Sequence, residues 1–235
     1  MFVTGANRGI GLQLTKQSLA RGDRVLGACR RPAAALELAG LRDHHPGRVD
    51  IIELDVTDEE SIAAAARASA ALVEHIDVLF NIAGTKGNLT EDPFRNLSRT
   101  FGDIDAVSMA SIYATNTIGA LLVVQALCPL LTGGTIVNLT SSMGSNGLMN
   151  RGDWYAYRAS KAALNIVSRA LSFDLRDRGV VVVAMHPGWV KTAMGTEDAP
   201  LPLAESVSSL LGVVDGLTLD DSGTFLNWRG ETLPW

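Results

Sequence analysis

A chain of 235 residues can bury one substantial core, and a composition of 47% hydrophobic against 19% charged residues excludes a disordered polymer. The formal net charge of −5, with acids and bases interspersed, leaves no basic stripe for a phosphate backbone, so nucleic acid is not an expected partner. The longest apolar run, GALLVVQALCPLL, is interrupted by Gln125 and Pro129 and falls short of the roughly 20 residues that span a bilayer, so no membrane segment is expected.

The first strand is predicted in MFV, with only three residues ahead of Thr4, so either residues precede it that are missing or the strand starts at the chain end. No charged region and apolar block form a secretory leader there, which predicts a cytoplasmic protein. Cys29 and Cys128 are the only cysteines and sit in apolar contexts, which reads as reduced, buried thiols.

Helical and β-type segments then alternate. Strands are predicted in DRVLGAC, RVDIIEL, IDVLFNIAG, GGTIVNLTS, GVVVVAMHP and GTFLNW, and helices over 9–21, 58–74, 103–130, 155–177 and 203–214. Thr57 or Asp58 caps the second helix, with acids in its first turn. Residues 85–102 read as the long internal loop, a length that in a compact domain points to function. Continuous Val/Ile/Leu strands are those covered on both faces, so the pattern predicts one α/β domain over 1–235, a doubly wound Rossmann fold with a seven-stranded, mostly parallel sheet.

The first strand-to-helix junction, TGANRGIG, carries glycines at 5, 9 and 11. Bare backbone is what a turn needs to bring N–H groups and a helix start against a pyrophosphate. At the end of the second strand Cys29 stands where a carboxylate would bond a free ribose 2′-hydroxyl, and Arg30 follows it, with Arg8 inside the glycine turn. Two guanidiniums favour a 2′-phosphate, which predicts NADP(H) over NAD(H).

In WYAYRASKA, Tyr157 and Lys161 are four apart and share a helix face. Tyr155 lies about 120° round the cylinder and about 9 Å along the axis from the ammonium. A phenol ordinarily ionises near pH 10, and a nearby ammonium lowers that value. Ser142 in NLTSSMGS follows the fifth strand at the carboxyl edge of the sheet, where ligands bind in such folds, and Ser141 is its competitor. His186, before Pro187, reads as a packed or backbone-bonded histidine, and no His/Cys/Asp cluster has metal spacing, so no metal is expected. Trp154, Met143, Met149 and Met194 read either as pocket lining or as core.

Together these motifs resemble the short-chain dehydrogenase/reductase family nearly end to end. TGANRGIG is similar to its cofactor turn, through Gly5, Asn7, Arg8, Gly9, Ile10 and Gly11, and LDVTD to its adenine segment, through Asp55 and Val56. NIAG resembles the strand-four motif, with Asn81, Ala83 and Gly84 kept and Ile82 in place of a second asparagine. Asn116 falls on the helix asparagine, Ser142 on the serine, with a gap to Tyr157 longer than usual, and YRASK supplies Tyr157 and Lys161. HPGWVKT resembles the nicotinamide loop, through Pro187, Gly188, Val190 and Thr192, and with GTFLNWRGETLPW it is similar to the C-factor and sniffer-like carbonyl reductase branch.

The resemblance implies an NADP(H)-dependent oxidoreductase acting on a small carbonyl or alcohol. Tyr157 would be the general acid, Lys161 would lower its pKa and Ser142 would orient the carbonyl. Asn116 would hold a water that links Lys161 to solvent. It implies a homodimer or homotetramer through the helices carrying Asn116 and Tyr157, although monomers also occur. A nucleotide-binding signalling protein of the C-factor type is the alternative, which the intact Asn, Ser, Tyr and Lys set opposes. A sugar-nucleotide epimerase would carry a large C-terminal domain, and only about 40 residues follow HPGW here.

Overall fold

Seven strands, β1 (Phe2–Thr4), β2 (Val25–Cys29), β3 (Val49–Glu53), β4 (Val78–Asn81), β5 (Thr135–Leu139), β6 (Val181–His186) and β7 (Phe225–Asn227), form one sheet in the order β3-β2-β1-β4-β5-β6-β7. Every neighbouring pair is parallel. This computed structural model describes residues 1–87 and 99–235, so most of the predicted loop over 85–102 lies outside the described residues.

The helices are α1 (Gly9–Arg21), α2 (Leu36–His44), α3 (Glu59–Leu72), α4 (Ala106–Tyr113), α5 (Gly119–Leu127), α6 (Tyr155–Asp174) and α7 (Leu203–Asp215). Successive strand residues point to opposite faces and divide into two cores. Val3, Val25, Val137, Val181 and Val183 pack with Leu12 and Leu19 of α1 and Leu210 and Val214 of α7. Phe2, Leu26, Ile136 and Val182 pack with Ile62 and Ala65 of α3 and Val123 and Leu127 of α5. The strands are largely apolar because both faces of the sheet are covered, the constraint a parallel sheet imposes, and polar exceptions include Asp50 and Glu53 on the edge strand β3 and the buried Asn81 and Asn138.

The strand order reverses between β1 and β4, and the loops leaving their carboxyl ends diverge into a crevice there.

Two predicted helices differ from the expectation. The segment over 103–130 is not one regular helix: α4 runs into a π turn at Ala114–Ile118, then α5, then a 3₁₀ turn at Cys128–Leu130. The span Ala106–Leu130 is long and apolar enough to cross a bilayer, yet Ala120, Val123, Val124 and Leu127 lie buried, as in a core helix. The other difference is α2, which the sequence reading left unassigned and which buries only Leu38. Asp58, one of the two expected caps, accepts the N–H groups of Glu60 and Ser61 at the start of α3.

A buried polar brace crosses the sheet just below the crevice. Asn81 donates to the Asn138 side-chain oxygen (2.9 Å) and to the Ala120 carbonyl (3.2 Å), while Asn138 donates to Ser168 on α6 (2.9 Å). Asn81 and Asn138 are register partners on β4 and β5. Asn138→Ala removes two buried hydrogen bonds, the one from Asn81 and the one to Ser168, and should cost about 1–3 kcal/mol in urea unfolding. A change under about 0.5 kcal/mol, the range of an ordinary surface substitution, would show that the brace contributes nothing.

Candidate active site

The end of β1 is tied to the end of β4 by Thr4, whose hydroxyl accepts the N–H groups of Ile82 (2.8 Å) and Ala83 (3.0 Å). Gly5 follows in the left-handed region at φ +67°, and a Cβ there would stand 3.3 Å from the Ala83 backbone. A Cβ on Gly11 would lie 2.3 Å from the Gly5 carbonyl oxygen, so the turn closes only without side chains. Arg8 precedes α1 without a side-chain cap and no acid stands in the first turn, which leaves the leading N–H groups clear of carboxylates. This bare cradle at a helix start fits the pyrophosphate of a dinucleotide. The loop after β6 closes on it from the far side, with the Thr192 methyl 4.0 Å from the Cβ position of Gly9. That loop is braced by the Val190 to Leu201 bridge and by the Ser206 hydroxyl, which donates to the Pro187 carbonyl (2.7 Å).

At the adenosine end, Asp55 accepts the Thr57 amide (2.9 Å) and hydroxyl (2.7 Å). Burial raises its pKa, but these bonds and the nearby Arg30 charge outweigh it and the carboxyl ends below its ordinary value. Arg8, Asn7 and Arg30 are exposed around this end, and Val56 is buried beside α5. The Asn81 amide nitrogen is engaged in the brace, while its side-chain oxygen is buried without a hydrogen-bond partner.

Tyr157 and Lys161 lie together on the buried face of α6, while Tyr155 is exposed against Phe101. The Lys161 ammonium donates to the Leu139 carbonyl at the end of β5 (2.7 Å) and stands 3.6 Å from the Cβ position of Gly84. Of the two candidate serines, it is Ser141, the competitor of Ser142, that bears on the Tyr157 phenol and pulls its pKa down against the effect of burial. Ser142 begins the 3₁₀ turn Ser142–Gly144, which packs Gly144 onto the Lys161 backbone. Ser141 precedes the turn in extended geometry, and its hydroxyl accepts the Met143 N–H (3.1 Å).

Asn116 sits in the π turn and is buried. Its oxygen accepts the Thr85 N–H (2.7 Å), and its nitrogen donates to the Thr85 carbonyl (2.8 Å) and the Ser160 hydroxyl (3.0 Å). The side chain therefore fastens the loop after β4 to α6 and is committed there.

Three further residues stand at the mouth. Trp154 adopts a left-handed conformation (φ 51°), rare for a non-glycine residue, and donates its N–H to the Arg99 carbonyl (2.6 Å). The Lys86 ammonium lies 5.0 Å from the Trp154 ring centre and 6.0 Å from that of Tyr157, and donates to the Met194 carbonyl (2.8 Å). The Arg99 guanidinium lies 4.7 Å from the same indole. The sequence reading passed over Thr4, Lys86 and Arg99, because a lone threonine, lysine or arginine carries no spacing that sets it apart. Of the methionines considered for the pocket, Met194 reaches this rim, through its backbone, and Met149 is half exposed.

Burial dominates the electrostatics. It pushes the Tyr157 phenol up to about 12, with the Ser141 hydrogen bond pulling the other way, and it pushes the Lys161 ammonium down to about 8. For the phenol, desolvation outweighs the Ser141 contribution, and for the ammonium desolvation is the sole cause. His186 is likewise held neutral, down to about 4 by burial, and its Nδ1 has no hydrogen-bond partner, so it is packed without the backbone bond that was one of its expected forms. Among the described residues no cluster has the makings of a metal site.

The Lys161 shift carries a stability consequence. Its folded value of about 8 lies below the ordinary 10.5, so between those limits the unfolded chain binds a proton that the folded chain does not, and stability rises with pH. Tyr157, raised from 10 to about 12, acts in the opposite sense above pH 10. From about pH 7.5 to 10 the unfolding free energy of the native protein should therefore gain about 2 kcal/mol relative to Lys161→Met. A difference independent of pH would mean that the ammonium is not desolvated.

Comparison with known proteins agrees with this geometry. The short chain dehydrogenase family model matches residues 1–200. The C-signal protein of Myxococcus xanthus is 43% identical over 163 residues, which cover 68% of this chain and 93% of that protein. The NADPH-bound carbonyl reductase from chicken fatty liver superposes with a TM-score of 0.90 at 37% identity, covering 100% of this chain and 98% of that one. The carbonyl reductase Sniffer of D. melanogaster gives a TM-score of 0.92 at 29% identity, with the same coverage. With a glycine cradle at the first βα junction and a buried tyrosine and lysine beside it, the chain belongs to the short-chain dehydrogenase/reductase family of NAD(P)-dependent oxidoreductases.

Proposed function

We propose that the protein is an NADP(H)-dependent reductase of small carbonyl compounds in which Tyr157 protonates the carbonyl oxygen and Ser141 gives that oxygen its second hydrogen bond. The observation that carries this reading is the buried Tyr157 one helical turn from the buried Lys161, whose ammonium is fixed on the Leu139 carbonyl, with Ser141 bearing on the phenol. The similarity to carbonyl reductases, one of them NADPH-bound, supports it.

When bound, NADPH supplies the hydride that the carbonyl carbon accepts. Tyr157 is neutral at physiological pH because burial holds its pKa high, so it has a proton to donate. That proton passes from Oη to the carbonyl oxygen as the carbon is reduced, and no isolated alkoxide forms. The phenolate left behind is stabilised by the Lys161 ammonium, which near pH 8 exists in both protonation states and can return the proton. Asn116 acts as a positioning residue through Thr85 and Ser160. At the far end of the crevice, Arg30 and Arg8 favour a cofactor that carries a 2′-phosphate. Ile118 and, on α6, Ile166 and Phe173 expose an apolar face that supports self-association through these helices.

A second reading, a signalling protein that binds a nucleotide without turnover, draws on the 43% identity to C-signal. The retained tyrosine, lysine and serine oppose it, and turnover decides between the two.

Tyr157→Phe should lower kcat about 10²–10⁴-fold, the usual worth of positioned proton transfer, while NADPH affinity stays within about threefold. Ser141→Ala should lower kcat far more than Ser142→Ala, and the reverse order would restore Ser142 to the role. Arg30→Glu should weaken NADPH by about 10-fold or more, the worth of a charge-assisted hydrogen bond, and NADH much less. Equal losses for both cofactors would remove the arginine argument.

A further inference from the structure

We propose that the preferred substrate is an anionic carbonyl compound, whose carboxylate is held by Lys86 and Arg99 at the mouth of the Tyr157 pocket. This rests on the reductase reading above and names the substrate class of that site.

The two cations share one indole. Lys86 lies 5.0 Å and Arg99 4.7 Å from the Trp154 ring centre, and Lys86 is also 6.0 Å from the ring of the reacting tyrosine. In a chain of net charge −5, two positive charges meet on the Trp154 ring, and one of them, Lys86, also reaches the ring of Tyr157. Among the described residues neither is paired with a carboxylate. The acid nearest in sequence to Trp154, Asp153, is already engaged by Arg151 (3.2 Å) and Arg158 (2.8 Å).

Neither cation is exhausted by its present contacts. An ammonium has three donors, and Lys86 uses one of them on the Met194 carbonyl. Stacking on an aromatic face engages the charge of a guanidinium but leaves the N–H groups at its edge free to meet an oxyanion. Burial and the neighbouring Arg99 both lower the Lys86 pKa. Two like charges brought together out of water destabilise each other, and an anionic group between them relieves both effects at once. The hydrogen bond from Lys86 to Met194 joins the loop after β4 to the loop after β6, so the cation is held over the crevice between the two walls. A carboxylate docked there would set the carbonyl of the same molecule a few bonds deeper, at Tyr157 and Ser141.

The test compares 4-carboxybenzaldehyde with its methyl ester, which is of similar shape but uncharged. The native protein with NADPH should show a kcat/KM at least tenfold higher for the acid than for the ester at low salt, and the preference should shrink as salt screens the rim. Lys86→Met, and separately Arg99→Gln, should lower kcat/KM for the acid at least tenfold more than for the ester. Equal rates on acid and ester in the native protein, or equal losses on both in the variants, would overturn the proposal. Calorimetric titration with benzoate reads the same site without turnover: binding that Lys86→Met weakens at least fivefold supports it, and no binding to the NADPH complex overturns it. If neither aldehyde is reduced while benzoate still binds in this Lys86-dependent way, the reductase reading falls and the anion site stands.

Discussion

The Lys161 ammonium, buried against the Leu139 carbonyl, is the contact on which the rest of the site depends. It ties the middle of α6 to the end of β5, and the Thr140 hydroxyl repeats the tie by donating to the Lys161 carbonyl (3.3 Å). Once helix and strand are held in that register, Tyr157 from the helix and Ser141 from the strand end meet without further adjustment. A desolvated cation is costly, and the fall of its pKa to about 8 measures that cost. Perturbation of this kind, on a buried lysine one helical turn from a buried tyrosine, is characteristic of working sites.

The other half of the site is built by leaving atoms out. Reversal of strand order between β1 and β4 opens the crevice, Thr4 holds its two walls together, and the missing Cβ atoms of Gly5 and Gly11 let the backbone close into a cradle. Asn116 fixes the loop after β4 to α6, the helix that carries Tyr157 and Lys161. The polar brace of Asn81, Asn138 and Ser168 lies beneath both and keeps β4 and β5 in step. Against this rigid floor, the cations at the mouth are the parts that face an incoming molecule.

Much of this was legible in the residues. The seven strands were readable because parallel strands must be apolar on both faces, and α1 begins at Gly9 and ends at Arg21 where glycines flank it. Tyr157 could be separated from Tyr155 because helical spacing allows only one of them to share a face with Lys161. The choice between Ser141 and Ser142 was not legible in NLTSSMGS, because counting cannot show where the strand ends and the 3₁₀ turn starts. The π turn at Ala114–Ile118 was hidden because no proline and no internal glycine marks it, and its cause is tertiary: Asn116 and Thr117 are held by Thr85 and Ser160. Helix α2 was missed because it is short and buries a single leucine. The paired cations on Trp154 come from residues far apart in sequence, and only folding brings them together.

The most direct measurement is a crystal structure of the NADPH complex. The account predicts the pyrophosphate over Gly5 to Gly11, the nicotinamide facing the Tyr157 hydroxyl, and Ser141 still bonded to that hydroxyl. A nicotinamide ring bound away from Tyr157, or a phenol bonded to Ser142 with Lys161 released from Leu139, would contradict it.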